Sequence, residues 1–565
     1  MAIFSGDIFA ENYTVSSSVT NVQISSVSGS TKSGDSTDDT HQFTGSLSIS
    51  GSRILLEDGK NNIAIGKNTI SVIGAGQGGN VAIGYESMKS AGTATNNNAE
   101  FNTAIGYEAL KDVTTGYTNV AVGKGAGESL TTGHSNVAIG TGALDVATDV
   151  DHTVIIGKKA GEGNMTSAAD GTIAIGYLAG ANITSGGGNV VIGDRAGDAM
   201  TDNANNTILG TLAFTNADSG ESNNVVIGNS AGGSINNADS DSNVIMGYNA
   251  GAGGTGELDR CIAIGAYAMD GTGTVSGQQN IFIGDNAGGG SWTTAASNSN
   301  VAIGATAMNA ALNGALGNTT VGHDGLKDLT TGDYNTAVGY LAGHNFTVAG
   351  HNTALGSEAL ASEDVGDFTV AIGYRTGYYQ NSDSNNEDAA NTLVGTGAGF
   401  YNITGTKNTL IGRQAGLGVS GQSNSNNVAI GYRALYGVTT GHENTVMGYE
   451  AAYSLTSADN NIIIGYQTGY SLTTARYNVL IGDSAGRSLT STSDNNENVM
   501  IGVSAGRNAD AATIPARYNV YVGSGAGYYM DDGQSNVFIG REAGKGGGTG
   551  NNATQNVLIG YQSGF

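Results

Sequence analysis

The chain of 565 residues contains one cysteine, one proline and one tryptophan. The single cysteine, Cys261, excludes an intramolecular disulfide and any metal site built from several thiolates. One proline among 93 glycines excludes collagen, whose G-X-Y triplets are proline-rich. Charge is also sparse: Asp, Glu, Lys and Arg make up 12% of the chain, 48 acids stand against 22 bases, and the net charge is −26. Phosphate binding needs clustered Lys and Arg, so nucleic acid is not an expected partner. The acidity reads instead as a means of keeping a large surface soluble. No apolar run approaches the roughly 18 residues that span a bilayer, so no membrane insertion is expected. The opening stretch "MAIFSGDIFAENYTV" has neither the basic nor the apolar region of a secretory signal.

What the chain does have is glycine mixed with Ile, Val and Ala, which a disordered polar tract would lack. It also has a period. Gly106, Gly123, Gly140 and Gly157 fall at every seventeenth position, within segments such as "NTAIGYEAL" and "NVAIGTGAL". The motif runs from Gly66 to Gly560 in 28 copies, most often at this same interval and otherwise at one longer by one to five positions. The extra residues collect in Asn/Ser/Asp/Gly-rich stretches such as "QNSDSNNEDAAN" at 380–391, which marks one corner of a coil. The spacing G-x-G-x-x-G at Gly74, Gly76 and Gly79 imitates a dinucleotide-binding turn. It is followed by another "NVAIG", where such a turn needs a helix to receive the pyrophosphate, so no nucleotide and no other cofactor is expected.

Numbered from the motif glycine, position −4 is Asn in 24 of 28 copies, among them Asn80, Asn102, Asn119, Asn136, Asn335 and Asn478. The exceptions are Thr153, Thr172, Thr369 and Cys261. Position −3 is Val, Ile or Thr, position −1 is Ile, Val, Leu or Met, and position +3 is always small. Short β-branched runs bounded by turn residues predict strands, and so short a unit of strand and turn buries a core only when stacked. The predicted fold is all-β: a parallel β-solenoid of about 28 short coils over 61–565, roughly 130 Å long at about 4.8 Å per coil. The Asn column is expected to ladder from coil to coil. The glycines, among them Gly84, Gly106, Gly123, Gly140, Gly339 and Gly482, are expected to permit a sharp turn and close backbone approach. Residues −3 and −1 share one strand face and are assigned to the coil interior. Position −2 (Ala82, Val191, Phe282, Leu410, Tyr521) is apolar as well, and a strand apolar on both faces expects cover on both. That outer cover is assigned to other copies of the chain, which predicts an obligate oligomer.

With these residues in view, "NVAIG", "NTAIGYEAL" and "NTALGSEAL" resemble the head repeats of trimeric autotransporter adhesins, and still more the same repeats in bacteriophage tail fibres. The resemblance covers about residues 61–565. It implies a left-handed parallel β-roll, three chains about one axis, and adhesion to a host cell surface through a glycan or protein. The missing export signal and the missing C-terminal coiled coil and membrane barrel depart from the secreted adhesins and favour a virion appendage assembled in the host cytoplasm. The end of the sequence inside a repeat, "NVLIGYQSGF", departs from the many phage fibres of this kind that carry a C-terminal self-cleaving chaperone domain. Two alternatives remain: a polysaccharide-degrading tailspike and a fragment of a bacterial surface adhesin. An ice- or mineral-binding solenoid would need flat ranks of Thr, and "TTG" recurs too irregularly to form them.

Residues 1–60 do not repeat and are assigned to attachment on a virion or baseplate component, or to capping. Sixteen of 25 tyrosines lie after residue 370. Tyr378, Tyr379, Tyr401, Tyr528 and Tyr529 are candidate receptor contacts, because exposed aromatics stack on sugar rings; the alternative is packing at coil corners. Trp292, in the loop "GGGSWTTAASNSN", is a further candidate. The acidic loop "NADSDSN" at 237–243 lacks the regular calcium-binding patterns. The histidines are scattered, no H-E-x-x-H, G-x-S-x-G or P-loop occurs, and the chain is read as a non-enzymatic protein without catalytic or metal-binding residues.

Overall fold

The computed structural model describes residues 61–70, 78–89, 98–384, 388–490, 497–509, 516–530, 533–547 and 553–564. The N-terminal segment 1–60 lies outside them, as do Gly74 and Gly76; Gly79 is followed by the strand Val81–Ile83 and no helix. Each motif copy forms one three-residue strand, and the 28 strands stack in a single parallel sheet. Register is kept between copies: Ala82 faces Ala104, which faces Ala121, although the first step along the chain carries an insertion that the second lacks. Insertions are therefore absorbed away from the sheet. Two longer coils use theirs to add a second parallel pair, Leu258–Asp259 with Gly277–Gln278. The one helical element among the described residues is a 3-10 turn at Ser167–Ala169.

The strands are short because left-handed corners bracket them. The residue before the Asn position has a positive φ in each coil, for example Phe101 at +55°, Thr118 at +54° and His152 at +57°. At the other end the six glycines named above lie between +129° and +146°, where L side chains are rarely found. Two further left-handed residues follow, such as Glu108 at +57° and Leu110 at +47°. Each costs an L residue about 1–2 kcal/mol in isolation. The stack offsets this, because main-chain donors bond alternately to the coils on either side: Glu108 N–H to the Tyr85 carbonyl at 2.9 Å, Leu110 N–H to that of Ala126 at 3.0 Å. No coil satisfies its backbone by itself.

The inward face is the reverse of the one expected. The middle residue of every strand but the two terminal ones, position −2, is buried in the coil: Ala82, Val191, Phe282, Leu410 and Tyr521 are all 0% exposed. Positions −3 and −1 point outward and are half-buried or exposed, as at Val81 and Ile83 or Thr103 and Ile105. With a corner at each end, a three-residue strand can aim only its central side chain inward. The interior is narrow, which explains the frequent Ala at −2 and the buried small residue at +3, such as Ser87, Ala109 and Ala126.

A size exchange fills this interior. Where position −2 is Ala, position +4 often carries the bulk: Ala104 with Leu110, Ala138 with Leu144, Ala429 with Leu435, all buried. Where −2 is large, +4 is usually glycine (Ile208 with Phe214 and Val446 with Ala452 are exceptions), and the reason is spatial. A Cβ on Gly288 would sit 2.7 Å from the Phe282 ring, and one on Gly416 would sit 2.7 Å from Leu410. In most coils the bulk at a level comes from one of these two positions; where both are small, as at Ala121 and Gly127 or Ala337 and Gly343, a buried residue three positions on, Leu130 or Phe346, supplies it.

Candidate functional site

Three columns of side chains run along the stack and define what the surface and its supports can do. The first is the Asn column. Asn102 donates its backbone N–H to Oδ1 of Asn80 at 2.9 Å. Its Nδ2 donates to the same oxygen at 3.2 Å and to the Gly116 carbonyl at 3.0 Å. Its own Oδ1 accepts the Asn119 N–H at 2.9 Å. Asn136 and Asn335 repeat the pattern on Asn119 and Asn318. Asn478 continues it from Asn461 to Asn498. The carbonyl partner lies further along the same coil, as Val150 does for Asn136 and Ala349 for Asn335. Each buried amide therefore closes its own coil and joins it to the next.

The exceptions show what the amide supplies. Cys261 keeps the N–H bond to Asn243 and turns its thiol to the Gly277 carbonyl at 3.1 Å. Burial pushes that thiol up to about 11, so it is not a reactive thiolate. Thr369 has a buried hydroxyl oxygen without a hydrogen bond, and Asn391 turns instead to Gln380 Oε1 at 3.0 Å. Asn335→Ala removes the acceptor for the Asn352 N–H and the donor to the Ala349 carbonyl, leaving two buried groups unpaired, while Asn318 Oδ1 keeps only the backbone N–H of residue 335. A loss of about 2–3 kcal/mol is expected, read as a lower denaturant midpoint with an unchanged slope.

The other two columns are aromatic. Tyrosines at equivalent positions of successive coils lie one strand spacing apart and stack. Tyr436, Tyr453 and Tyr470 are 4.7 and 5.0 Å apart with rings within 5° of parallel. Tyr432, Tyr449 and Tyr466 form a second such column at 5.1 and 5.3 Å. Arg433 lies between the columns, 5.1 Å from the Tyr432 ring and 5.3 Å from that of Tyr436. Of the candidate contacts, Tyr378 stacks on Phe400 at 5.5 Å and Tyr379 on Tyr401 at 5.5 Å. Tyr528 and Tyr529 meet edge to face at 4.5 Å and are half-buried. Packing between coils thus accounts for much of the ring area, while Tyr379 stays exposed.

Trp292 is not a surface residue. It is 5% exposed, donates Nε1–H to the Gly288 carbonyl at 3.2 Å, and meets the buried Phe282 edge-on at 6.1 Å. The polar loop around it covers a ring that fills the coil.

Between the two aromatic columns a groove of about 370 Å³ opens, walled by Tyr374, Phe400, Tyr401 and Tyr436 and edged by Arg375 and Arg413. It exists because the coil between them carries Thr396 and Gly397 where others carry a ring and a long side chain. Glu358 pairs with Arg375 at 2.8 Å. Arg413 has no carboxylate within ion-pair distance among the described residues, and its guanidinium lies 6.0 Å from the Tyr432 ring. Aromatic walls with a free guanidinium and the Gln414 amide suit a sugar ring bearing an acid or hydroxyl groups. Tyr374, Arg375, Arg413 and Tyr436 are absent from the sequence candidates. The signal that finds them is register: counted from their motif glycines, they fall on or beside the two aromatic columns.

The acidic loop at 237–243 is held by its own chain: Asn237 Oδ1 accepts the Asp239 N–H at 3.1 Å, and Asp241 Oδ1 accepts that of Ser222 at 2.6 Å. Among the described residues no helix is long and apolar enough to cross a membrane. No protein-family model matches the chain, and comparison with curated proteins finds no relative.

Proposed function

We propose that the chain is a structural and adhesive fibre subunit of a bacteriophage virion, three copies sharing one axis, which presents its flank to a glycan or protein of the host surface. The supporting observation is the outward pair of columns at −3 and −1. They are aliphatic or Thr over all 28 strands, and Ile105, Ile139, Leu209 and Leu355 are 36 to 45% exposed. Two residues wide and 28 strands long, the stripe covers on the order of 900 Å². A monomer rarely leaves so large a contiguous apolar patch uncovered. A second and third copy carry the same stripe at the same spacing, so like faces like along the whole sheet. The number three, the viral setting and attachment through residues 1–60 rest on the resemblance of the repeats.

Light scattering of the full chain is expected to give three times the single-chain mass of 56.6 kDa. Paired changes Ile105→Glu and Leu355→Glu are expected to lower that mass by placing like charges on facing stripes. A wild-type mass equal to that of one chain would remove the reading. For adhesion, binding to a glycan array is expected to fall at least tenfold with Tyr401→Ala and Arg413→Ala in the groove. Binding that survives both changes moves the contact elsewhere.

A further inference from the structure

The scattered histidines hide one cluster. His134 and His152 lie on consecutive coils, and Asp151 stands one coil beyond His134 at the equivalent position. The His134 ring is held from both sides. It stacks on Tyr117 with 4.6 Å between centroids, and its Nε2 lies 3.0 Å from Asp151 Oδ2. The other oxygen of Asp151 accepts the backbone N–H of His134 at 2.7 Å, which fixes the carboxylate. Asp151 is anchored in turn, its N–H donating to Asp170 Oδ1 at 2.7 Å. His152 closes the group: its N–H donates to the His134 carbonyl at 3.1 Å and its ring meets that of His134 edge-on at 5.0 Å. One ligand atom from each of the three residues lies within 4.8 Å of the others.

We propose that His134, Asp151 and His152 form a binding site for a divalent transition-metal ion of the zinc type, open to solvent on its remaining side and joining two consecutive coils. The donor set decides the class of ion. Two imidazole nitrogens and one carboxylate suit Zn²⁺, Co²⁺, Ni²⁺ or Cu²⁺, whereas Ca²⁺ and Mg²⁺ take oxygen shells. Ligands about 2.0–2.2 Å from a shared ion stand roughly 3–4 Å from one another; the 3.0 Å between His134 Nε2 and Asp151 Oδ2 falls in that range, and His152 completes the group within 4.8 Å. Binding requires a free Nε2 lone pair on His134. The hydrogen it directs at Asp151 then moves to Nδ1, which has the Ser135 hydroxyl oxygen at 3.4 Å as its neighbour. His152 is exposed, so the ion has a path in.

The other His–Asp pairs make internal controls. His442 meets Asp459 at 2.8 Å and His323 meets Asp324 at 2.9 Å, neither with a second histidine as a third ligand among the described residues. The test uses untagged full-length protein titrated calorimetrically with ZnCl₂, and with CoCl₂ followed by visible absorption. One strong site per chain is expected, with Kd in the micromolar range or below and Co²⁺ bands of a low-coordinate N/O site. His152→Asn keeps a residue that accepts the left-handed backbone, and Asp151→Asn keeps an acceptor for the His134 N–H. Each should weaken binding at least tenfold with an unchanged circular dichroism spectrum, while His442→Ala leaves it intact. Zn²⁺ binding weaker than about 1 mM, or binding undiminished in His152→Asn, overturns the proposal.

Discussion

Gly339→Ala is expected to cost at least about 4 kcal/mol and to unfold the coils around it, because two independent penalties meet at one atom. Gly339 holds φ +139°, and a Cβ placed there lies 2.5 Å from the Gly356 carbonyl oxygen and 2.6 Å from its carbon. The first penalty is conformational, since no L residue rests at that φ without strain. The second is steric, and the obstruction is main chain of the next coil, which has no rotamer through which to withdraw. The only relief is to part the coils. That breaks the neighbouring bonds from Gly356 N–H to the Val338 carbonyl and from Thr336 N–H to the Asn352 carbonyl, both 2.8 Å. Coils interact with their neighbours alone, so the damage should be local. Hydrogen exchange is expected to show lost protection over about residues 319–375 while the coils near Gly123 stay protected. A variant that melts within about 2 °C of the parent with uniform protection would show that the corner accepts a side chain.

Repetition decided which features were legible in the sequence. The coil count, the strand positions, the glycine corners and the Asn column each recur often enough that a few exceptions do not hide them. The inward face was misread because both strand faces are apolar, and two residues per face looked a better core than one. A discriminating signal was present: position −3 is Thr in eight strands, whereas position −2 has one polar residue, Thr320. A hydroxyl is tolerated repeatedly only where water reaches it. Trp292 illustrates a different limit. The composition of a loop describes its wet side, and one ring turned inward leaves no mark on it. The aromatic groove and the His134–Asp151–His152 cluster needed vertical alignment. In a stack, residues one coil length apart are neighbours, and a reading along the chain misses them.

The size exchange between positions −2 and +4 yields the second large effect, and it separates packing from backbone strain. Leu410→Ala alone empties one level of the interior and is expected to cost about 3 kcal/mol, within the range for a buried leucine. Gly416→Leu alone forces a side chain onto Leu410 at a corner of φ +52° and is expected to cost as much or more. Combined, the two changes reproduce the arrangement of the next coil, where Ala429 and Leu435 share the level and Leu435 sits at φ +56°. The double variant should therefore recover most of the summed loss, with a coupling energy of about 3 kcal/mol or more in a double-mutant cycle. Denaturant melts of the four proteins measure it. The residual cost in the double variant, expected to be about 1 kcal/mol, then reports what a left-handed leucine costs at this corner relative to glycine. Additive losses would mean that the two positions do not fill a common space, and that Ala alternating with bulk at −2 reflects something other than a fixed interior volume per coil.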